Sequence, residues 1–168
     1  ALGLADFDAS GEVAGNGFYY LKGDLALLNQ ALIRFAIDHL QKKGYEYVEP
    51  PLMVRKHVLE AAMDADGFEQ SIYKVTDEED PLCLIGTAEH TILGMLEGKT
   101  LQEQELPVKM YGYSMCFRQE IGSHGINEKG LWRTHQFNKV EQFIFCTSEQ
   151  TWDSYEELKA NSEEILQA

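Results

Sequence analysis

The sequence predicts an α+β fold in which an antiparallel β-sheet is flanked by helices. Three observations predict it. Two long stretches of extended character, 108–120 and 132–147, are joined by a glycine-rich connection, IGSHGINEKG, as the arms of a long hairpin would be. Segments with the apolar period of amphipathic helices lie on both sides of them. The 168 residues are 44% hydrophobic and 25% charged, which suits one globular domain or most of one and excludes a disordered or collagen-like chain.

The elements follow in order. Asp24 is placed to cap a long helix whose apolar stripe is Leu25, Leu28, Ala31, Leu32, Phe35, Ala36, His39 and Leu40. Lys42 and Lys43 suit its negative end, and Gly44 can take the left-handed stop. The extended piece YEYVE then runs into Pro50 and Pro51, which cannot be helix interior. Residues 54–63 read as a further helix, and 71–76 with 82–85 as a strand pair across the acidic turn DEEDP. Thr87 caps a helix running to about Glu97. After the two long strands, Ser148 caps a last helix with Trp152, Tyr155, Leu158, Ser162 and Ile165 on one face. Helices segregated around hairpin-linked strands are the pattern of an antiparallel α+β domain.

Charge and cysteine usage narrow the function classes. With 28 acidic against 14 basic residues the net charge is −14, so the surface repels phosphate backbones on average. That argues against nonspecific nucleic-acid binding while leaving room for a local basic pocket. No apolar run approaches the roughly 18–20 residues of a membrane span, and no membrane partner is expected. A basic region followed by an apolar stretch is not seen at the N-terminus, so a cytoplasmic location is expected. Cys83, Cys116 and Cys146 are odd in number and lack zinc-finger spacing, so neither a disulfide framework nor zinc is expected.

Alternation along the long strands sorts the polar residues. Arg118 and Glu120 share a face of the first, and Arg133, His135, Phe137, Lys139 and Glu141 share a face of the second. If those faces point together they make a charged cleft around one aromatic ring. A solvated sheet face with cross-strand ion pairs would show the same alternation.

The strings themselves carry a resemblance. FRQEIGSHG followed by GLWRTHQFNKVE resembles the second signature motif of the class II aminoacyl-tRNA synthetases, in the form found in their seryl branch. GYEYVEPPLM resembles the first motif, and LIGTAEH the serine-binding loop of that branch. FYYLKGDLALLNQAL and SYEELKANSEEIL match in character, so the resemblance covers nearly the whole chain in the family's order. It implies that residues 1–168 are part of a class II catalytic domain. The third motif and the RNA-gripping helical hairpin are not recognisable. The native protein is therefore expected to continue past Ala168, and the segment alone to be a poor catalyst.

The resemblance also implies an activity and its residues. The activity is ATP-dependent conversion of L-serine to seryl-adenylate and transfer to tRNA(Ser), with Mg2+ accompanying ATP and a homodimer built on the first motif. Arg118 is the implied catalytic residue, since a planar guanidinium can bond both the substrate carboxylate and the phosphoryl oxygens. ATP is implied to meet Arg118, Gln119, Glu120, Thr134, His135, Gln136 and Phe137, with Glu120 on the adenine amine and Phe137 stacked on the ring. Serine is implied to meet Thr87, Ala88, Glu89, Arg118 and Glu141, with Glu141 pairing the α-ammonium, and either Glu141 or an acidic residue of the missing part serving as a magnesium ligand. A general base, from His124 or His135, is not expected, because the serine carboxylate is already ionised.

Other readings stay open at this level. Thr87 and Glu89 also suit an ordinary helix N-terminus, and Phe137 a packed core. A non-catalytic paralogue would keep the fold, though such a protein usually loses Arg118, Glu120 or Glu141. A ligase charging serine onto a different acceptor would keep them. The connection 121–131 is expected to be mobile without substrate, given Gly122, Gly125 and Gly130.

Overall fold

The computed structural model describes residues 2–121 and 130–168. Its first half runs β1 (Ala5–Asp6), α1 (Phe7–Ala14), β2 (Tyr20–Leu21), α2 (Gly23–Lys42), β3 (Glu46–Val48), β4 (Met53–Arg55), α3 (Lys56–Ala62) and α4 (Ala65–Ser71). Then follow β5 (Leu82–Leu84), α5 (Ala88–Met95), β6 (Val108–Phe117), β7 (Gln136–Phe145) and α6 (Thr151–Gln167). The two long strands pair antiparallel from Val108 opposite Phe145 to Phe117 opposite Gln136. β3 joins β6 on its other side in parallel, giving the order β3-β6-β7. The α+β class stands, with one parallel pair added where the chain crosses over through helices.

Both faces of the sheet are covered. On one, α2 and α6 enclose Leu40, Tyr45 and Tyr111 together with Ile37, Val140, Leu158 and Ile165. On the other, α5 packs Ala88 and Ile92 onto Met110, Val48 and Phe143. α5 approaches closely because Gly112 carries no side chain. A Cβ there would lie 3.1 Å from Ile92 Cδ1 and 3.3 Å from the Val48 carbonyl oxygen. A third cluster, Val54, Leu59, Phe68, Ile72, Cys83 and Ile85, ties α3 and α4 to β4 and β5.

Several local expectations change. α2 begins at Gly23 after Lys22, and Asp24 sits inside the first turn, where its carboxylate faces the positive helix end. Gly44 does take the left-handed stop, at φ +85°. Val54 and Arg55 leave the expected helix for β4, because Met53–Arg55 pairs with Leu82–Leu84. The strand expected at 71–76 shortens to its middle, where the Val75 N–H donates to the Leu82 carbonyl at 2.8 Å and the Leu84 N–H to the Tyr73 carbonyl at 2.9 Å. Ser71 ends α4, which Asp64 caps by accepting from the Gly67 N–H, and only Lys74 bridges to Cys83. Thr147 and Gln150 form a capping box over a short turn, so α6 starts at Thr151 rather than Ser148. The long strands end at Phe117 and begin at Gln136, shorter than the sequence pattern. Most of the connection expected to be mobile, 122–129, lies outside the described residues.

Two helix faces also differ. Trp152 and Tyr155 are exposed, and α6 turns Leu158, Asn161 and Ile165 inward instead. The α2 stripe divides: Ala36 and Leu40 are buried, while Leu28, Leu32 and Phe35, joined by Leu27, are exposed.

A polar clamp fixes α6 to the sheet. Lys109 Nζ donates to both Glu157 carboxylate oxygens, at 2.7 and 2.8 Å, and the Tyr45 hydroxyl donates to Oε1 at 2.9 Å. Buried Asn161 donates to the Tyr45 oxygen at 3.2 Å and to Gln142 Oε1 at 3.0 Å. The Lys109 hydrogen bond holds Glu157 below the usual carboxylate range, against an opposing push from burial. A depressed folded value means that this stabilisation is present above the unfolded value and is lost as pH falls through the folded one. Glu157→Ala strands Lys109 and Tyr45 and is expected to cost about 1–2 kcal/mol in urea unfolding at neutral pH. The gap to wild type should close on acidification.

Candidate active site

The register of β6 and β7 builds the base of the site. Phe137, Lys139 and Glu141 stand opposite Cys116, Ser114 and Gly112. Residues directly opposite share a face, so three large functional side chains lie beside three small ones that leave them room. The same face receives α5, whose capping residue, Thr87, thereby reaches the sheet.

Two adjoining cavities open there. One, of about 310 Å³, is lined by Thr87, His90, Gly86, Ile72 and Met63. The other, of about 340 Å³, is lined by Phe137, Thr134, Trp132 and Leu131. Arg118, Glu120 and Arg133 line both.

Arg118 stands at the boundary. Its Nε donates to the Gly86 carbonyl at 3.0 Å, and its guanidinium carbon lies 5.2 Å from the centre of the Phe137 ring. That cation–π contact orients both groups. Glu120 takes φ +54°, a left-handed conformation uncommon for a residue with a Cβ. The neighbouring backbone holds it there. The Gln119 N–H donates to the Ser71 carbonyl at 2.8 Å, and the Ile121 N–H to the Gln70 carbonyl at 3.3 Å. Glu120 Oε2 in turn accepts from Arg133 Nη1 at 2.6 Å.

Beside the first cavity, three residues close a ring. Thr87 accepts from the Glu89 N–H at 3.4 Å as helix cap, and its hydroxyl donates to Glu141 Oε2. Lys139 Nζ donates to Thr87 Oγ1 at 3.0 Å and also to Glu141 Oε1. The Glu141 side chain is 14% exposed. This arrangement fits Glu141 poorly as a magnesium ligand, because Lys139 and Thr87 already engage both carboxylate oxygens and a doubly charged ion would be repelled by the Lys139 ammonium more strongly than a singly charged group.

The remaining expected residues divide. Thr134 is buried, lines the second cavity and donates to the Gln136 carbonyl at 2.9 Å. His135 is an orienting residue. Its ring lies 5.2 Å from that of Phe18 and 6.2 Å from that of Tyr73, and its Nδ1 bonds the Arg118 carbonyl oxygen at 2.9 Å. Gln119 sends its side-chain amide to the Ile72 carbonyl, and Gln136 sends its own to Met115 Sδ at 3.5 Å. Ala88 is buried between α5 and the sheet and Glu89 is exposed, so neither side chain joins the ring.

Sequence reasoning missed His90. It is 6% exposed, lines the first cavity, and its Nδ1 has no hydrogen-bond partner among the described residues. Burial, then the charge of Arg118, pulls its pKa below the ordinary histidine value, so the ring is neutral at neutral pH. The signal was available: His90 follows Thr87 by three on a helix, which places both on one side.

The comparisons with known proteins fit this geometry. Residues 73–168, more than half of the chain, match the family model described as tRNA synthetase class II core domain (G, H, P, S and T). The chain belongs to the class II tRNA synthetase core family. It is 48% identical over 166 residues to a serine--tRNA ligase of Methanocorpusculum labreanum, covering 99% of this chain and 39% of that protein. It is 45% identical over 166 residues to that of Nitrosopumilus maritimus, again covering 99% and 39%. Among solved structures, seryl-tRNA synthetase from Pyrococcus horikoshii complexed with ATP is similar at TM-score 0.93 and 46% identity, over 99% of this chain and 37% of that one. Cytoplasmic serine-tRNA ligase from Naegleria fowleri in complex with AMP gives TM-score 0.93 at 37% identity, over 99% and 36%. The chain thus spans about two fifths of the length of the curated relatives it matches.

Within this class II core, His90 should leave a pH signature. Its folded pKa is lowered from 6.5, so below that value the unfolded chain takes up a proton that the folded site resists, and stability falls. Urea unfolding of wild type should therefore weaken more steeply from about pH 7 to about pH 5 than that of His90→Gln. Parallel curves would show that the ring is not held neutral.

Proposed function

We propose that residues 1–168 form part of the catalytic domain of a serine--tRNA ligase, and that the full-length protein converts L-serine and ATP to seryl-adenylate and then charges tRNA(Ser). The observation that carries this reading is the pair of adjoining cavities with Arg118 at their boundary. One side is lined by Thr87, which bonds Glu141 behind it, and the other by the Phe137 ring. An amino acid and a nucleotide placed in them would meet at the guanidinium. The names of the relatives, and the ATP and AMP in the two solved neighbours, support the same assignment.

In the reaction, a carboxylate oxygen of serine attacks the α-phosphorus of ATP. The new bond joins that oxygen to phosphorus, and the bond from phosphorus to the bridging oxygen of the β-phosphate breaks, releasing pyrophosphate. Negative charge accumulates on the phosphoryl oxygens, and Arg118 offsets it in a partly enclosed site. Glu141 pairs with the α-ammonium, Glu120 accepts from the adenine amine, and Phe137 stacks on the base. The attacking group is already an anion, so no side chain has to remove a proton. Mg2+ accompanying ATP would neutralise phosphate charge, and among the described residues none is assigned to hold it.

The reading extends to a homodimer. Leu27, Leu28, Leu32 and Phe35 expose a continuous apolar face of α2, and a second copy of the chain is the occupant we assign to it. No helix among the described residues is long and apolar enough to cross a membrane, and a cytoplasmic enzyme is proposed.

Two measurements check this reading in the full-length protein. Serine-dependent ATP–pyrophosphate exchange should be present, and Arg118→Ala should lower it about 10²–10³-fold with the fold retained. Near-normal exchange would remove Arg118 from the mechanism. Sedimentation should give a dimer at micromolar concentration, and Leu28→Lys with Leu32→Lys should shift it to monomer. A monomeric wild type would sink the assigned interface.

A further inference from the structure

We propose that Lys139 is a positioning residue of the amino-acid site, holding Glu141 and Thr87 in the one arrangement that receives the substrate ammonium. The proposal rests on the serine-activating reading above. It follows from counting donors and acceptors. The Lys139 ammonium has three N–H donors, and two are directed at Thr87 Oγ1, 3.0 Å away, and at Glu141 Oε1. The Thr87 hydroxyl accepts from Lys139 and from the Glu89 N–H, so its only proton goes to Glu141 Oε2. Each Glu141 oxygen is thus anchored from the protein side and keeps an acceptor position for a ligand. Thr87 has no proton left to offer, so its hydroxyl acts on the substrate through Glu141.

The environment supports a built arrangement. Ser114, opposite Lys139 across the strands, is buried and small, and Gly112, opposite Glu141, has no side chain. Thr87 is itself fixed as the cap of α5. A glutamate held by two neighbours loses little freedom when the substrate arrives, which favours binding. Lys139 also repels a second cation. Positioning and repulsion therefore give opposite signs on removal of the lysine, and the proposal commits to the first.

The test uses the full-length protein and serine-dependent ATP–pyrophosphate exchange. Lys139→Met should raise the KM for serine about tenfold to a hundredfold while leaving the KM for ATP near wild type. Lys139→Arg should recover part of the loss. In a Glu141→Gln background, adding Lys139→Met should change the serine KM little further, because the lysine works through that carboxylate. An unchanged or lowered serine KM in Lys139→Met, or additive effects in the double variant, would overturn the proposal. Absence of serine-dependent exchange in wild type would instead overturn the functional reading. The contact is then read by unfolding: stability losses from Lys139→Met and Glu141→Gln should be non-additive, and additive losses overturn the arrangement without any assay of activity.

Discussion

The site depends on the pairing register of β6 and β7. Opposite Phe137, Lys139 and Glu141 the partner strand supplies Cys116, Ser114 and Gly112. A slip of one residue would turn every side chain of β7 to the other face and bring bulkier β6 neighbours beneath it. Gly112 does a second job in the same register. Its missing side chain lets α5 settle on the sheet, and that brings the Thr87 cap within hydrogen-bonding reach of Glu141. One strand pairing thus sets the spacing between a helix end and a row of charges.

Those charges are largely compensated in pairs. Lys139 faces Glu141, Arg133 faces Glu120, and Arg118 lies over an aromatic ring while its Nε is held by a backbone carbonyl. The chain carries a net charge of −14, yet three of its fourteen basic residues, Arg118, Arg133 and Lys139, gather in this cleft. An acidic chain and a locally basic site are compatible because surface charges are screened over about 10 Å, whereas groups in a cleft act at contact distance. His90 adds no charge of its own, since burial and Arg118 together favour its neutral form. Among the described residues, the left-handed backbone of a residue with a Cβ occurs at the exit of β6, where three neighbouring hydrogen bonds to the end of α4 hold Glu120.

Where sequence periodicity failed, a tertiary partner had intervened. The segment 71–76 has strand-like composition, but its start is taken by the end of α4, so only the bridge at Lys74 forms on the edge of β5 that Met53–Arg55 leaves open. Trp152 and Tyr155 fit the apolar spacing of α6, yet the helix is rotated by the clamp of Lys109 and Tyr45 on Glu157, which turns Leu158 and Asn161 inward. In α2 the stripe was correctly apolar but too wide for one contact. Its Leu40 side packs on the sheet and its Leu28 and Leu32 side does not.

By itself the sequence determined the elements with strong local signals. Alternation marked β6 and β7, the 3.6-residue period marked α2, Gly44 marked its end and Thr87 the start of α5, because these depend on the backbone and on near neighbours. It also placed Phe137 and Glu141 on one face of β7, whereas Arg118 and Glu120, expected on a face of the first strand, lie beyond its end at Phe117. Only the tertiary structure decided which side chains meet. Glu141 lies 54 residues from Thr87, and the Gly86 carbonyl that Arg118 holds lies 32 residues away. Periodicity says which face a residue is on, but not what another element brings to that face. That is why the ring closed by Lys139 became visible only once α5 was seated against the sheet.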